Sequence, residues 1–171
     1  MWGLKHIDEL KKVVDDFVEE RFNIKTEIDT DFAYYPHEKV VTWSFFMAEK
    51  SDKYFQQFVA LEFPDITADI FLWSLLHEIG HHMTYDEWSD AEFNFNEEIK
   101  DAASKILEKE NPTEAEDKYA HFLYFSAPDE WRATEWAANY METHSHSVEK
   151  FWLKFTEEFN KFLTLNQVER D

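Results

Sequence analysis

The stretch Ile66–Met83, ITADIFLWSLLHEIGHHM, decides how this chain is read. Ile70, Phe71, Leu72, Leu75, Leu76 and Ile79 make it apolar enough to form a buried helix, and Asp65 or Thr67 can cap its start. His77 and His81 stand four residues apart, so a helix presents both imidazoles on one face about one turn from each other. Glu78 follows the first of them directly.

His77-Glu78-Ile79-Gly80-His81 is the HExxH pattern, and its chemistry explains its spacing. Two imidazoles one turn apart can ligate one tetrahedral Zn2+. Glu78, beside the ion without binding it, can take a proton from a zinc-bound water whose pKa the metal lowers to about 7. In a chain of 171 residues with 8 His and 37 acidic side chains, however, five such residues also fall together by chance. The histidines of a buried helix can simply pair with carboxylates. A third ligand from elsewhere separates the two readings.

The residues just after His81 carry no further His and Gly at metal-ligand spacing, so the ligand is sought downstream. In 128–140, PDEWRATEWAANY, a Glu on a second helix has a small polar residue one turn on that can orient a ligand. Two registers fit, Glu130 with Thr134 and Glu135 with Asn139. His82, His121, His144 and His146 are further candidate ligands, although each such residue is more often a surface or hydrogen-bonded histidine.

The pairing of His77-Glu78-Ile79-Gly80-His81 with Glu130-x-x-Ala133-Thr134-x-Trp136-Ala137 resembles the ImmA/IrrE-type metallopeptidases of phages and mobile elements. In that family the zinc-binding helix is followed by a Glu-x-x-Ala-(Asn/Asp)-x-Phe-Ala helix. The resemblance implies Glu130 as third ligand, Thr134 at the Asn/Asp position and Trp136 in place of Phe. It also implies a zincin-like fold with an N-terminal helix and small sheet, a cytoplasmic setting (the host cytoplasm for a phage product), and hydrolysis of a peptide bond in a protein partner such as a repressor.

Composition narrows the rest. The length suits one domain over residues 1–171, and 17 Phe, 7 Trp and 7 Tyr predict an unusually aromatic core. A formal charge of −20 disfavours direct contact with nucleic acid or an anionic membrane surface, and favours a basic or nucleic-acid-binding protein as partner. The absence of cysteine excludes disulfides, thiolate zinc sites and cysteine catalysis. MWGLKHIDELKK has no apolar signal core, and no apolar run approaches the about 18 residues of a membrane span, so a soluble cytoplasmic protein is expected.

The hydrophobic period predicts an α+β order. Leu4, Ile7, Leu10, Val14, Phe17, Val18 and Phe22 mark an amphipathic helix that should pack on a following sheet. Ile24, Thr26 and Ile28, then Phe32 and Tyr34, then Val41, Trp43 and Phe45 alternate as strands. Residues 48–53, AEKSDK, read as a hairpin loop, and Phe55, Gln57, Val59, Leu61 and Phe63 as a further strand, with a short helix over 54–62 as the alternative. The sheet would then be largely antiparallel, and the strand before the central helix could accept an extended peptide by backbone hydrogen bonds. Residues 84–96 look irregular; helices are expected around Ile99–Leu107, from a Thr113/Glu116 capping box, over 130–143, and over 148–163.

A reading from a different class competes with the hydrolase: a non-catalytic acidic binding or inhibitory protein that imitates nucleic acid or docks on a basic partner, with any zinc structural.

Overall fold

Helix α1 (Ile7–Phe22) forms where the three- and four-residue spacing put it, burying Leu10, Val13, Val14, Phe17, Val18 and Phe22 along one stripe. It stops at Asn23, whose left-handed backbone (φ 52°) lets its N–H close on the Glu19 carbonyl. The computed structural model describes residues 4–45, 50–85 and 89–170. Among these the protein is α+β and mainly helical, with seven helices and a three-stranded sheet.

Backbone contacts group the chain into two compact units, 1–44 with 140–171 and 45–139. The terminal unit holds α1, strands β1 (Lys25–Ile28), β2 (Ala33–Tyr35) and β3 (Val40–Trp43), and the long helix α7 (Ser145–Arg170). The sheet order is β1-β3-β2, with β1 parallel and β2 antiparallel to β3. The sheet is therefore mixed, where alternation alone suggested a largely antiparallel one. The physical reason lies in β3, where Val41, Thr42 and Trp43 are all buried: a strand buried on both faces takes the centre, and β1 and β2 become its edges.

The expected packing of α1 on this sheet is present. Thr26 donates its hydroxyl hydrogen to Asp15 and accepts one from Trp43 Nε1 at 3.3 Å. From α7, Phe151 stacks on Phe17 at 4.3 Å, and Phe155 meets Trp43 edge-on at 6.1 Å. Asn166 ties the unit's ends together, accepting from Lys5 N at 3.1 Å and donating to Lys5 O at 3.0 Å.

The central unit contains α2 (Lys50–Glu62), α3 (Ile70–Met83), α4 (Asp90–Leu107), α5 (Glu114–Phe125) and α6 (Pro128–Thr143) up to Asn139. The strand expected over Phe55–Phe63 is corrected here to helix α2, and the loop expected over residues 50–53 is its first turn; residues 48 and 49 lie outside the described residues. Phe55 and Val59 fit both periods, but Tyr54 and Phe58 complete a helical stripe, whereas Leu61 on the supposed strand face is 67 % exposed. No edge strand for a peptide exists there.

Helix α3 begins later than expected. Asp69, not Asp65 or Thr67, is its cap and accepts from Phe71 N at 2.8 Å. Residues 84–96 are only partly irregular, since Ser89 and Glu92 form a capping box that opens α4; residues 86–88 lie outside the described residues. The Thr113/Glu116 capping box opens α5 as its spacing predicts. No helix among the described residues is long and apolar enough to cross a membrane.

Candidate metal centre

Helices α3 and α6 approach so closely that a Cβ built on Gly80 would lie 2.5 Å from the Ala133 carbonyl oxygen and 2.9 Å from its Cα. A side chain at position 80 is therefore governed by steric room before chemistry. With Gly80 between the two histidines and Ala133 between Glu130 and Thr134, the contact aligns the two chemical faces. His77, His81 and Glu130 meet there, their ligand atoms all within 4.8 Å of one another.

Glu130 Oε2 lies 2.7 Å from His77 Nε2 and 3.1 Å from His81 Nε2, and the two nitrogens are 3.1 Å apart. These edges are a few tenths of an ångström shorter than the about 3.3 Å edge of a tetrahedron with bonds of about 2.0 Å. Slight widening lets one ion reach all three atoms. His77 and Glu130 are each 6 % exposed. His81 is the more open of the two histidines, its side chain 18 % exposed. The Phe55 ring closes one side, edge-on to His77 at 5.1 Å.

Thr134 sets the tautomer of His77. Its hydroxyl, fully buried, donates to the Glu130 carbonyl at 2.9 Å, so it has only lone pairs to offer the His77 Nδ1, also at 2.9 Å. The Nδ1 must then carry a hydrogen, which turns the Nε2 lone pair toward Glu130 and His81. Three electron-rich atoms so close repel one another unless a proton or a cation lies among them. In the metal-free protein a proton serves. Burial opposes the charged form of His81, yet the Glu130 carboxylate, with Glu78 and Asp129 behind it, raises its pKa to about 9. Burial likewise opposes charge on Glu130, but His81 and His77 hold its pKa well below the ordinary carboxylate value.

Glu130 occupies the first turn of α6, after Pro128 and Asp129, where a negative charge faces the positive end of the helix. The Asp129 N–H is taken up by Asn96 Oδ1 at 3.1 Å. Lys100 of α4 reaches Asp129 Oδ2 at 2.6 Å and Glu130 Oε1 at 3.2 Å, and the Tyr124 hydroxyl also hydrogen-bonds to Glu130. Glu78 is partly buried, and burial, outweighing the nearby histidines, raises its pKa.

Of the residues that the sequence brings forward, the structure gathers His77, His81, Glu130 and Thr134, and leaves Glu135 and Asn139 exposed on the other face of α6. His121 bonds the Asp117 carbonyl at 2.7 Å, while His144 and His146 are exposed. Sequence reasoning missed Lys100, Tyr124, Asp129 and Asn96. The one faint signal was a lysine set inside an acidic run, 97–101.

No protein-family model, no curated protein and no solved structure matches the chain, so the case for this centre is its own geometry.

Proposed function

We propose that the central unit is a zinc-dependent metallopeptidase centre of zincin-like type, with His77, His81 and Glu130 as the protein ligands and Glu78 as the general base. The observation that carries the reading is the convergence of three lone-pair atoms, one with its tautomer fixed by Thr134, beside an independent carboxylate. The donor set of two imidazoles and one carboxylate is one that catalytic zinc takes. When bound, the ion supplies Lewis acidity, lowering the pKa of water and polarising a carbonyl.

The chain's residues do the rest. Glu78 takes a proton on its carboxylate, and the raised pKa makes it a stronger base than a free glutamate, which holds that proton until the leaving amine takes it. Thr134 keeps the His77 ring from turning, and Phe55 excludes water from its flank. The resemblance to the ImmA/IrrE-type family adds a protein substrate, a repressor-like partner and a cytoplasmic setting to this reading.

Elemental analysis tests it first. One zinc per chain is expected in the parent after reconstitution, none in His77→Ala and Glu130→Ala, and zinc without peptide-bond hydrolysis in Glu78→Gln. A parent that binds no stoichiometric zinc would sink the proposal.

A second reading draws on charge. Residues 45–139 contain 21 acidic and 7 basic side chains, so most of the formal −20 lies in the unit that holds the centre. Such a surface suits a basic protein partner. If Glu78→Gln keeps zinc and the protein's full biological effect, the chain acts as an acidic binding protein with structural zinc.

A further inference from the structure

The two oxygens of Glu130 are treated differently by their surroundings. Oε2 faces both imidazoles, whereas Oε1 is 3.2 Å from Lys100 Nζ. Lys100 is itself held in place: its ammonium is 2.6 Å from Asp129 Oδ2 and lies 5.0 Å from the centroid of the Tyr124 ring. Asp129 is fixed in turn by Asn96, and the Tyr124 hydroxyl adds a hydrogen bond to Glu130. Lys100 of α4 thus meets the Glu130 oxygen that points away from the histidines, and Asp129 of α6 and the Tyr124 ring of α5 hold its ammonium there.

We propose that Lys100 is a positioning residue of the metal centre, which occupies Glu130 Oε1 and so restricts Glu130 to binding the ion through Oε2 alone. This rests on the metal reading above. A carboxylate offers a cation one oxygen or two. A Lys ammonium on the second oxygen, in a site where the Glu130 side chain is only 8 % exposed, competes with little screening from solvent. With one oxygen from Glu130 the protein supplies three ligand atoms, and the remaining coordination stays free for water and substrate. With two it would fill a fourth place and hinder both. A lysine that merely neutralised buried charge would contribute to folding and leave the coordination unchanged.

Cobalt(II) in place of zinc reads the coordination directly. The parent, Lys100→Met, Lys100→Arg and His77→Ala are each loaded with cobalt, and metal content and visible absorption are measured together. One cobalt per chain with the strong absorption of a four-coordinate ion is expected in the parent. In Lys100→Met one cobalt should remain while the absorption falls severalfold, as Glu130 closes on the ion with both oxygens; Lys100→Arg should keep the parent spectrum. An unchanged spectrum in cobalt-loaded Lys100→Met overturns the role of Lys100 and leaves the metal reading standing. A parent that takes up no cobalt overturns both.

Should Lys100→Met not fold, the infrared difference between cobalt-loaded and metal-free parent decides. A wide separation of the antisymmetric and symmetric carboxylate stretches supports one-oxygen binding, and a narrow one overturns it.

Discussion

Both units bury polar side chains, but they do so to different ends. In the terminal unit the buried groups are neutral and mutually satisfied: Thr26 between Asp15 and Trp43, Thr42 donating to the Asp31 carbonyl, Asn166 bridging Lys5 and the Phe162 carbonyl. In the central unit His77, Asp117 and Glu130 are buried and titratable, and Asp129 Oδ1 is buried without a hydrogen-bond partner. Neutral pairs hold a scaffold at little electrostatic risk. Buried charges cost desolvation that only a well-placed counter-charge offsets, and their concentration in one unit is what the proposed metal centre requires.

The largest test of this contrast is Glu130→Ala in the metal-free protein. Breaking a buried pair by removing one partner costs about 3–5 kcal/mol, and the low end is expected because His81 can lose its proton and Lys100 keeps Asp129. Urea denaturation monitored by tryptophan fluorescence measures it; a loss under about 1 kcal/mol would mean that the charges are no more than surface pairs.

Next comes pH. The folded-state pKa of His81, about 9, exceeds its ordinary 6.5, so its stabilisation is fully present below about 6.5 and disappears as pH rises through about 9. Metal-free stability should fall over that window by at most about 3 kcal/mol, while zinc affinity rises as the competing proton leaves. His81→Gln should abolish the slope, and a slope that survives it would assign the titration elsewhere.

Gly80→Ala sets two effects against each other. Helix propensity favours alanine by up to about 1 kcal/mol, whereas forcing a methyl group against the Ala133 backbone costs about 1–3 kcal/mol or more. Net destabilisation of about 1–2 kcal/mol is expected, with weakened zinc binding. A variant of unchanged zinc affinity would show that the helices separate without disturbing the ligands.

The smallest effect is expected in the terminal unit. Thr26→Val removes the hydroxyl that accepts from the Trp43 indole N–H and donates to Asp15, at a cost of about 1 kcal/mol, and should leave zinc content untouched.

Much of the candidate site was legible because it is written in helical spacing. His77 and His81 are one turn apart on α3, and Glu130 and Thr134 one turn apart on α6. The fold was less so where two periods coincide. Phe55, Val59 and Phe63, four residues apart, satisfy alternation and a helix equally, and the burial of Tyr54 and Phe58 with the exposure of Leu61 breaks the tie. The parallel pairing of β1 with β3 could not be read from either strand, since it depends on β3 lying between two neighbours. Lys100 was invisible for a related reason: its partners Asp129 and Glu130 are 29 and 30 residues away, and nothing local distinguishes it from a solvated lysine.

The contact between Gly80 and Ala133 has a bearing on how relatives of this chain can be recognised. Ligands are easy to search for by their chemistry, yet histidines and glutamates recur in many unrelated helices. A missing side chain on one helix against the backbone of a small residue on the other, each beside its own His or Glu face, forms a rarer signature: a deep mutational scan should find Gly80 among the least tolerant positions despite its having no reactive atom. Sequence searches weighted on that pairing of small residues would reach proteins whose histidines and glutamates alone are too commonplace to identify them.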